Sequence, residues 1–245
     1  MQREEHKPAR VNEYGQPIGP ALESWSPPPW PPREPMAGRY CDLEPLQPER
    51  HAAALFEAMD PKGDAASWTY LSYGPFGSLA EYRRWMERAA TGDDPLFFVI
   101  RAGEHRDPLG VASYLRITPA HGTIEVGHIY YTPPLRRTGA ATEAMALMMR
   151  RAFELGYRRY EWKCDALNAA SRAAAERLGF VFEGVFRNAI IYKGRSRDTA
   201  WYSVIDEEWP ALERAFSRWL DPDNFDADGN QRTSLRAWRA SGRAN

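Results

Sequence analysis

Arg136-Arg137-Thr138-Gly139-Ala140-Ala141-Thr142-Glu143-Ala144 is the stretch of this 245-residue chain that decides its fold. Before it runs Thr123-Ile124-Glu125-Val126-Gly127-His128-Ile129-Tyr130-Tyr131, an apolar strand stopped by Pro133-Pro134, which remove two backbone donors. After it, Met145, Met148, Met149 and Ala152 fall at i, i+3, i+4 and i+7, while Arg150, Arg151 and Glu154 fall largely away from that face. The spacing predicts an amphipathic helix beginning near Gly139. The first N–H groups of a helix lack intrahelical partners and sit at the positive end of its dipole, so they attract anions that can approach closely. Gly139, Ala140 and Ala141 leave that approach open, and Arg136 and Arg137 add mobile positive charge. An ordinary strand-to-helix turn with exposed arginines fits the same residues, and local chemistry leaves both readings open. The stretch lacks the glycine-lysine-serine/threonine ending of a nucleotide-triphosphate loop and the three spaced glycines of a dinucleotide fingerprint, which argues against ATP and NAD.

Outward from this stretch the chain alternates. Gly38 to Leu43 reads as a first strand and Glu49 to Met59 as a helix with Ala52, Leu55, Phe56 and Met59 on one face. Asp64 to Gly77 carries Trp68, Tyr70, Tyr73 and Phe76 without periodicity, either lining a pocket or packing rings over the core. A helix over Leu79 to Ala90 precedes a hairpin of Leu96 to Arg101 and Leu109 to Ile117. The strand of residues 123–131 joins next, and the crossover helix after Gly139 brings Tyr160 to Asp165 in parallel. The expectation is a mixed α/β fold around a mainly antiparallel sheet flanked by helices.

Three segments are expected. Residues 1–36 hold nine of the 20 prolines, so they form an extended arm that lies on the domain, with Trp25 and Trp30 in apolar grooves, or a disordered leader. Residues 37–220 form the folded domain, and 221–245 a polar tail that is either a mobile C-terminus or a short docking segment. A hydrophobic share of 43% suits a globular protein, and a net charge of −1 lacks the basic excess of a nucleic-acid binder. Cys41 and Cys164 are the only cysteines, MQREEHKPAR has no apolar signal core, and no 18-residue apolar run exists. A cytoplasmic protein with no membrane contact follows, monomer or homodimer.

Arg136-x-x-Gly139-x-Ala141 resembles the pyrophosphate signature of the GNAT acetyltransferase superfamily. Tyr160 to Asp165, then Asn168-Ala169-Ala170-Ser171 and Glu176-Arg177-Leu178-Gly179-Phe180, resemble its second signature in the same order. Lys193-Gly194-Arg195 through Ser203 and Glu208-Trp209 are similar to the branch that includes the ribosomal-protein N-terminal acetyltransferases. The resemblance covers roughly residues 37–210 and implies a sheet splayed between the strands of residues 123–131 and 160–165, the fourth and fifth of the domain. It implies acetyl-CoA as cosubstrate without a metal, and an amine acceptor, either a small molecule or a protein N-terminus. It also implies cofactor contacts from Ile129, Tyr130 and Tyr131 through backbone N–H groups, from Arg136, Arg137, Thr138, Gly139, Ala140, Ala141 and Thr142 around the pyrophosphate, and from Asn168 and Ser171 along the pantetheine arm.

Acyl transfer to an amine needs a base, and Glu125, His128 and Asp165 all end near the expected splay. Glu125 is the favoured base. Glu125 and His128 have opposite parity on a regular strand, so both reach one cleft only if a bulge intervenes, which Gly127 permits. His128 also suits a packed imidazole. Many superfamily members protonate the departing thiolate with a tyrosine seven residues beyond the Asn; Ala175 stands there, and Ser171 is the expected replacement. Asn168 and Ser171 equally suit helix capping. Cys164, inside a strand, reads as buried rather than nucleophilic. The function expected is N-acetyl transfer by direct attack; the alternative is a non-catalytic acyl-CoA-binding protein that regulates an interaction.

Overall fold

The computed structural model describes residues 10–60, 64–227 and 229–241. Two short strands, β1 (Arg10–Val11) and β2 (Pro17–Ile18), pair as a small exposed hairpin. Then follow β3 (Met36–Ala37), β4 (Cys41–Pro45), α1 (Pro48–Ala58), α2 (Leu79–Thr91), β5 (Leu96–Ala102), β6 (Asp107–Thr118) and β7 (Thr123–Tyr131). The second half runs α3 (Gly139–Glu154), β8 (Arg159–Asp165), α4 (Ala169–Leu178), β9 (Val181–Tyr192), β10 (Arg195–Ile205), α5 (Trp209–Trp219) and α6 (Leu235–Ser241). Eight strands form one sheet in the order β3-β4-β5-β6-β7-β8-β10-β9, antiparallel throughout except for β7 beside β8. The mixed α/β architecture is therefore the one the sequence predicts.

The parallel pair is short. β7 and β8 pair from Thr123↔Arg159 to Val126↔Trp162 and then part, so a cleft opens in mid-sheet. A bulge lies just beyond that point: from Ser113↔Gly127 to Val111↔Tyr130, β6 moves two residues while β7 moves three. His128 takes φ +52° there, and a Cβ on Gly127 beside it would sit 2.9 Å from Leu115 Cδ2, so that leucine would have to shift to admit a larger residue. The extra residue reverses the alternation, so Glu125 and His128 line one cleft.

β5 shows how the layers are built. Phe98 and Ile100 join a core with α3 and α5, and the alternate residues Phe97 and Val99 join a second core with Leu55, Tyr82 and Met86 of α1 and α2. On α3 the whole apolar stripe of Met145, Met148, Met149 and Ala152 is buried, each large side chain stabilising by about 1.5–3 kcal/mol. The second core takes nothing from β8, β9 or β10 among the described residues, so that face of the sheet is left bare over those three strands.

Gly38 to Tyr40 differ from the expected strand. They turn instead, because the buried Glu143 carboxylate of α3 accepts from the N–H of Arg39 (2.8 Å), Tyr40 (2.6 Å) and Cys41 (2.9 Å), pulling the chain out of the ladder. In the arm, Pro28, Pro31 and Met36 are the buried residues among those described. Trp25 is half-buried, with its ring 3.1 Å from where a Cβ on Gly122 would lie, whereas Trp30 is 45% exposed and fills no groove. Tyr157 Oη donates to Pro29 O (3.2 Å), so prolines without N–H groups still hold the arm through a carbonyl. Beyond Leu220, Asn224 is buried and bonds Trp219 O (3.0 Å) and Thr233 O (3.1 Å), and Arg239 of α6 donates to Glu176 O (2.7 Å). No helix among the described residues is long and apolar enough to cross a membrane.

Candidate active site

The start of α3 follows from its capping residue. Thr138 Oγ1 accepts from Ala141 N–H (3.1 Å) and donates to Leu135 O (2.7 Å), which fixes the first turn and leaves the N–H groups of Gly139 and Ala140 without partners among the described residues. Thr142 is buried, its Oγ1 accepting from Arg177 Nη2 (3.1 Å). A Cβ on Gly139 would stand 3.9 Å from the rings of Phe225 and Tyr40, so space remains at the helix end.

The two arginines divide. Arg136 is not mobile: its guanidinium grips both oxygens of Asp64 and its Nε donates to Tyr131 O (2.9 Å). Asp64 is held in turn by Tyr130 Oη (2.8 Å) and Ser67 Oγ (2.6 Å). Burial works against ionisation of Asp64, but these donors, Arg136 foremost, outweigh it and keep its carboxyl below the usual range. Arg136 thus braces the aromatic loop to the end of β7. Arg137 is exposed at φ +61° and, unlike Arg136, has no ion-pair partner among the described residues.

Between the parted strands lies a cavity of about 300 Å³, lined by His128, Ile129, Cys164, Asp165, Asn168 and Ser171, with Tyr70 and Leu71 across from them. Tyr130 stacks on Trp68 with centroids 4.2 Å apart, and Tyr131 Oη donates to Ala141 O (3.2 Å). Their side chains are thereby committed, and the edge of β7 turned away from β6 offers backbone alone beyond Val126. Asn168 Oδ1 caps α4 by accepting from Ser171 N–H (3.1 Å), and Ser171 Oγ accepts from Trp162 Nε1 (3.0 Å). Burial raises the Cys164 thiol above its ordinary range, which disfavours a nucleophilic thiolate.

Glu125 stands where this cavity meets a larger one of about 870 Å³ on the bare face of the sheet. Its carboxylate lies 2.9 Å from Lys163 Nζ and 3.3 Å from Arg116 Nε, and Lys163 also pairs with Glu161 (2.7 Å). Burial nevertheless wins, raising the Glu125 pKa against the lowering pull of Lys163 and Arg116. His128 behaves otherwise. Burial lowers its pKa to about 4, with the Asp94 charge opposing, and its ring bonds Tyr73 Oη (3.1 Å) and stacks on Tyr73.

Residues 42–181 match the acetyltransferase (GNAT) domain. The chain belongs to the GNAT acetyltransferase family. It is 46% identical to a GCN5-related N-acetyltransferase from Brucella melitensis, whose crystal structure superimposes with a TM-score of 0.87 over 89% of this chain and all of that one. A GNAT-family structure from Chromobacterium violaceum is 43% identical, with a TM-score of 0.75 over 80% of this chain and 98% of its own. YdaF of Bacillus subtilis (strain 168), whose name proposes ribosomal N-acetylation, is 27% identical over 68% of this chain and 90% of its own.

Within that family frame, position 175 is the departure. Ala175 is fully buried against the core, so α4 presents no hydroxyl there. A tyrosine reaches the cleft from elsewhere: Tyr192, at the end of β9, donates from Oη to Asp165 Oδ2 (2.9 Å), and burial with that bond pushes its pKa up to about 12. Sequence reasoning missed it, since nothing local marks a hairpin residue that folds back over a strand 27 positions earlier. Lys163 and Arg116 were missed for the same reason. Among the described residues no group of three His, Cys, Asp or Glu side chains could hold a metal ion.

Proposed function

We propose that this GNAT acetyltransferase moves its acetyl group directly to an amine held beside Glu125, with the cosubstrate pyrophosphate on the N-terminus of α3. Acetyl-CoA supplies a thioester carbonyl open to attack. Gly139 and Ala140 offer the free N–H groups for the pyrophosphate and Arg137 the nearby cation; Ile129 to Tyr131 offer backbone N–H groups to polarise the carbonyl. Asn168 and Ser171 flank the pantetheine path. The observation that carries the reading is Glu125: a buried carboxylate of raised pKa at the junction of the two cavities, suited to take a proton from an ammonium or a water beside it.

For the leaving thiolate, Ser171 Oγ and Tyr192 Oη are hydroxyls on the Cys164, Asp165 and Asn168 side of the cleft, and both are protonated at neutral pH. The aromatic loop bridges one side of the cleft, with Tyr70 Oη on Leu167 O (3.2 Å) and Lys193 Nζ on Trp68 O (2.7 Å). The acceptor therefore enters from the bare face of β8 and β10, as a small amine would, rather than threading past the loop as an extended peptide. The two unpaired cysteines favour the cytoplasm.

Calorimetric titration with acetyl-CoA tests the donor side. Saturable binding is expected, weakened at least about tenfold in Gly139→Glu, which sets a like charge in the cradle. Unchanged affinity in that variant would place the cosubstrate elsewhere.

A further inference from the structure

The larger cavity says what kind of amine this is. It lies on the face that α1 and α2 leave bare, and it shares Leu115, Glu125, Lys163, Ile190 and Arg197 with the transfer cleft, so an occupant reaches from one into the other. Three guanidiniums, Arg116, Arg187 and Arg197, line it against one carboxylate, Glu125, which is already paired. Arg187 and Arg197 have no carboxylate partner among the described residues. Two N–H donors in its wall, Arg197 Nε and Trp201 Nε1, are buried without an acceptor. Buried donors are costly to leave unpaired, and here both belong to side chains facing a site rather than the core. Phe186 and Trp201, with ring centroids 4.6 Å apart, supply an apolar wall beside the charge.

We infer that the acceptor is an amine bearing an anionic oxygen group, carboxylate or phosphate, beside an apolar portion. This rests on the acetyl transfer proposed above. The oxygens accept from Arg187, Arg197 and Trp201 Nε1, the apolar portion lies on Phe186 and Trp201, and the amine is left at Glu125. Glu125 takes the ammonium proton; the amine nitrogen bonds to the acetyl carbon as the carbon–sulfur bond breaks, the departing sulfur takes a proton from the Ser171 or Tyr192 hydroxyl to leave as free thiol, and the second proton shed by the nitrogen restores that hydroxyl. Arg116, already drawn to Glu125, keeps that carboxylate oriented.

The test uses matched acceptors with the whole protein. Thiol release is followed for leucine against leucinamide, for phenylalanine against its amide, and for phosphoethanolamine against ethanolamine. Amidation lowers amine basicity, so intrinsic reactivity favours the amides. In at least one arm the anionic member is expected to show kcat/KM at least about tenfold higher, and the arm in which it does so tells carboxylate from phosphate. Arg197→Met and Arg187→Met should shrink that ratio toward one. In parallel, calorimetry compares binding of N-acetylleucine with its amide and of N-acetylphosphoethanolamine with N-acetylethanolamine, which needs no turnover. Equal turnover and equal binding of every pair in the wild-type protein overturn the inference. Absence of turnover with every amine, alongside preferential binding of an anionic product, overturns the acetyl-transfer reading and leaves the cavity assignment standing.

Discussion

The donor half and the acceptor half of this site are made of different material. The donor half is backbone: N–H groups at the start of α3 and a strand edge beyond Val126, both without partners among the described residues, and small residues that keep out of the way. The acceptor half is side chains, with Arg116, Glu125, Lys163, Arg197 and Trp201 projecting from four different strands onto the part of the sheet face that α1 and α2 leave bare. Backbone recognition can be written in a few adjacent residues, because a helix start and its cap are local. A side-chain cavity needs residues far apart in sequence, so it varies one residue at a time while the donor half stays in place. That contrast explains how one fold serves many acceptors.

The contrast can be broken from either side. The largest effect should come from Glu143, whose carboxylate ties the turn at Arg39 to Cys41 onto the first turns of α3. Glu143→Ala strands three backbone donors and should cost about 3 kcal/mol of stability or more in urea unfolding. A loss below about 1 kcal/mol would mean the cradle does not depend on that anchor.

Next is His128, on the bulge that joins the halves. Its folded pKa of about 4 lies below the ordinary 6.5. Above pH 6.5 both folded and unfolded chains carry it neutral; as pH falls from 6.5 toward 4, only the unfolded chain takes up the proton, so stability is lost across that window. At 1.36 kcal/mol per pKa unit the loss is roughly 3 kcal/mol, and His128→Gln should flatten that part of the profile. An unchanged slope in the variant would show that the ring is not excluded from water.

The smallest effects separate the two arginines. Arg136→Ala leaves Asp64 half-stripped of partners and should lower stability by about 1–3 kcal/mol, with acetyl-CoA affinity affected only through the loop. Arg137→Ala should weaken acetyl-CoA binding by a few-fold, under about 1 kcal/mol, and leave the melting temperature where it was. Reversed behaviour of the pair would make Arg136 the cosubstrate's cation and Arg137 the structural one.

How far the sequence could be read follows the same line. The periodic signals were local and sufficient: the strand of residues 123–131, the hairpin before it and the start of α3 at Gly139 lie where pattern and capping put them. The turn at Gly38 to Tyr40 was not legible, because the carboxylate that makes it is more than a hundred residues away. Arg136 read as a mobile cation because its partner, Asp64, sits in a loop without periodicity. Of the candidate base residues, parity alone could place Glu125 and His128 on one cleft only through a bulge, and the bulge is there. The hairpin of β9 and β10 left no such trace, since nearly all of β9 is exposed and no apolar alternation marks its inner face. With it went Tyr192, Arg187, Arg197 and Trp201, the side chains that give the acceptor half its character.

Glu125 is where the halves meet, and Glu125→Gln tests the account most directly. Acetyl-CoA affinity by calorimetry should hold within about twofold, because the carboxylate pairs with Lys163 and Arg116 and with none of the groups assigned to the cosubstrate, while kcat falls by about 10²–10⁴ and the acid limb of the wild-type pH–rate profile, lying above the usual carboxylate range, disappears. Turnover kept at the wild-type level would contradict the account, as would a loss of affinity that matches the loss of rate.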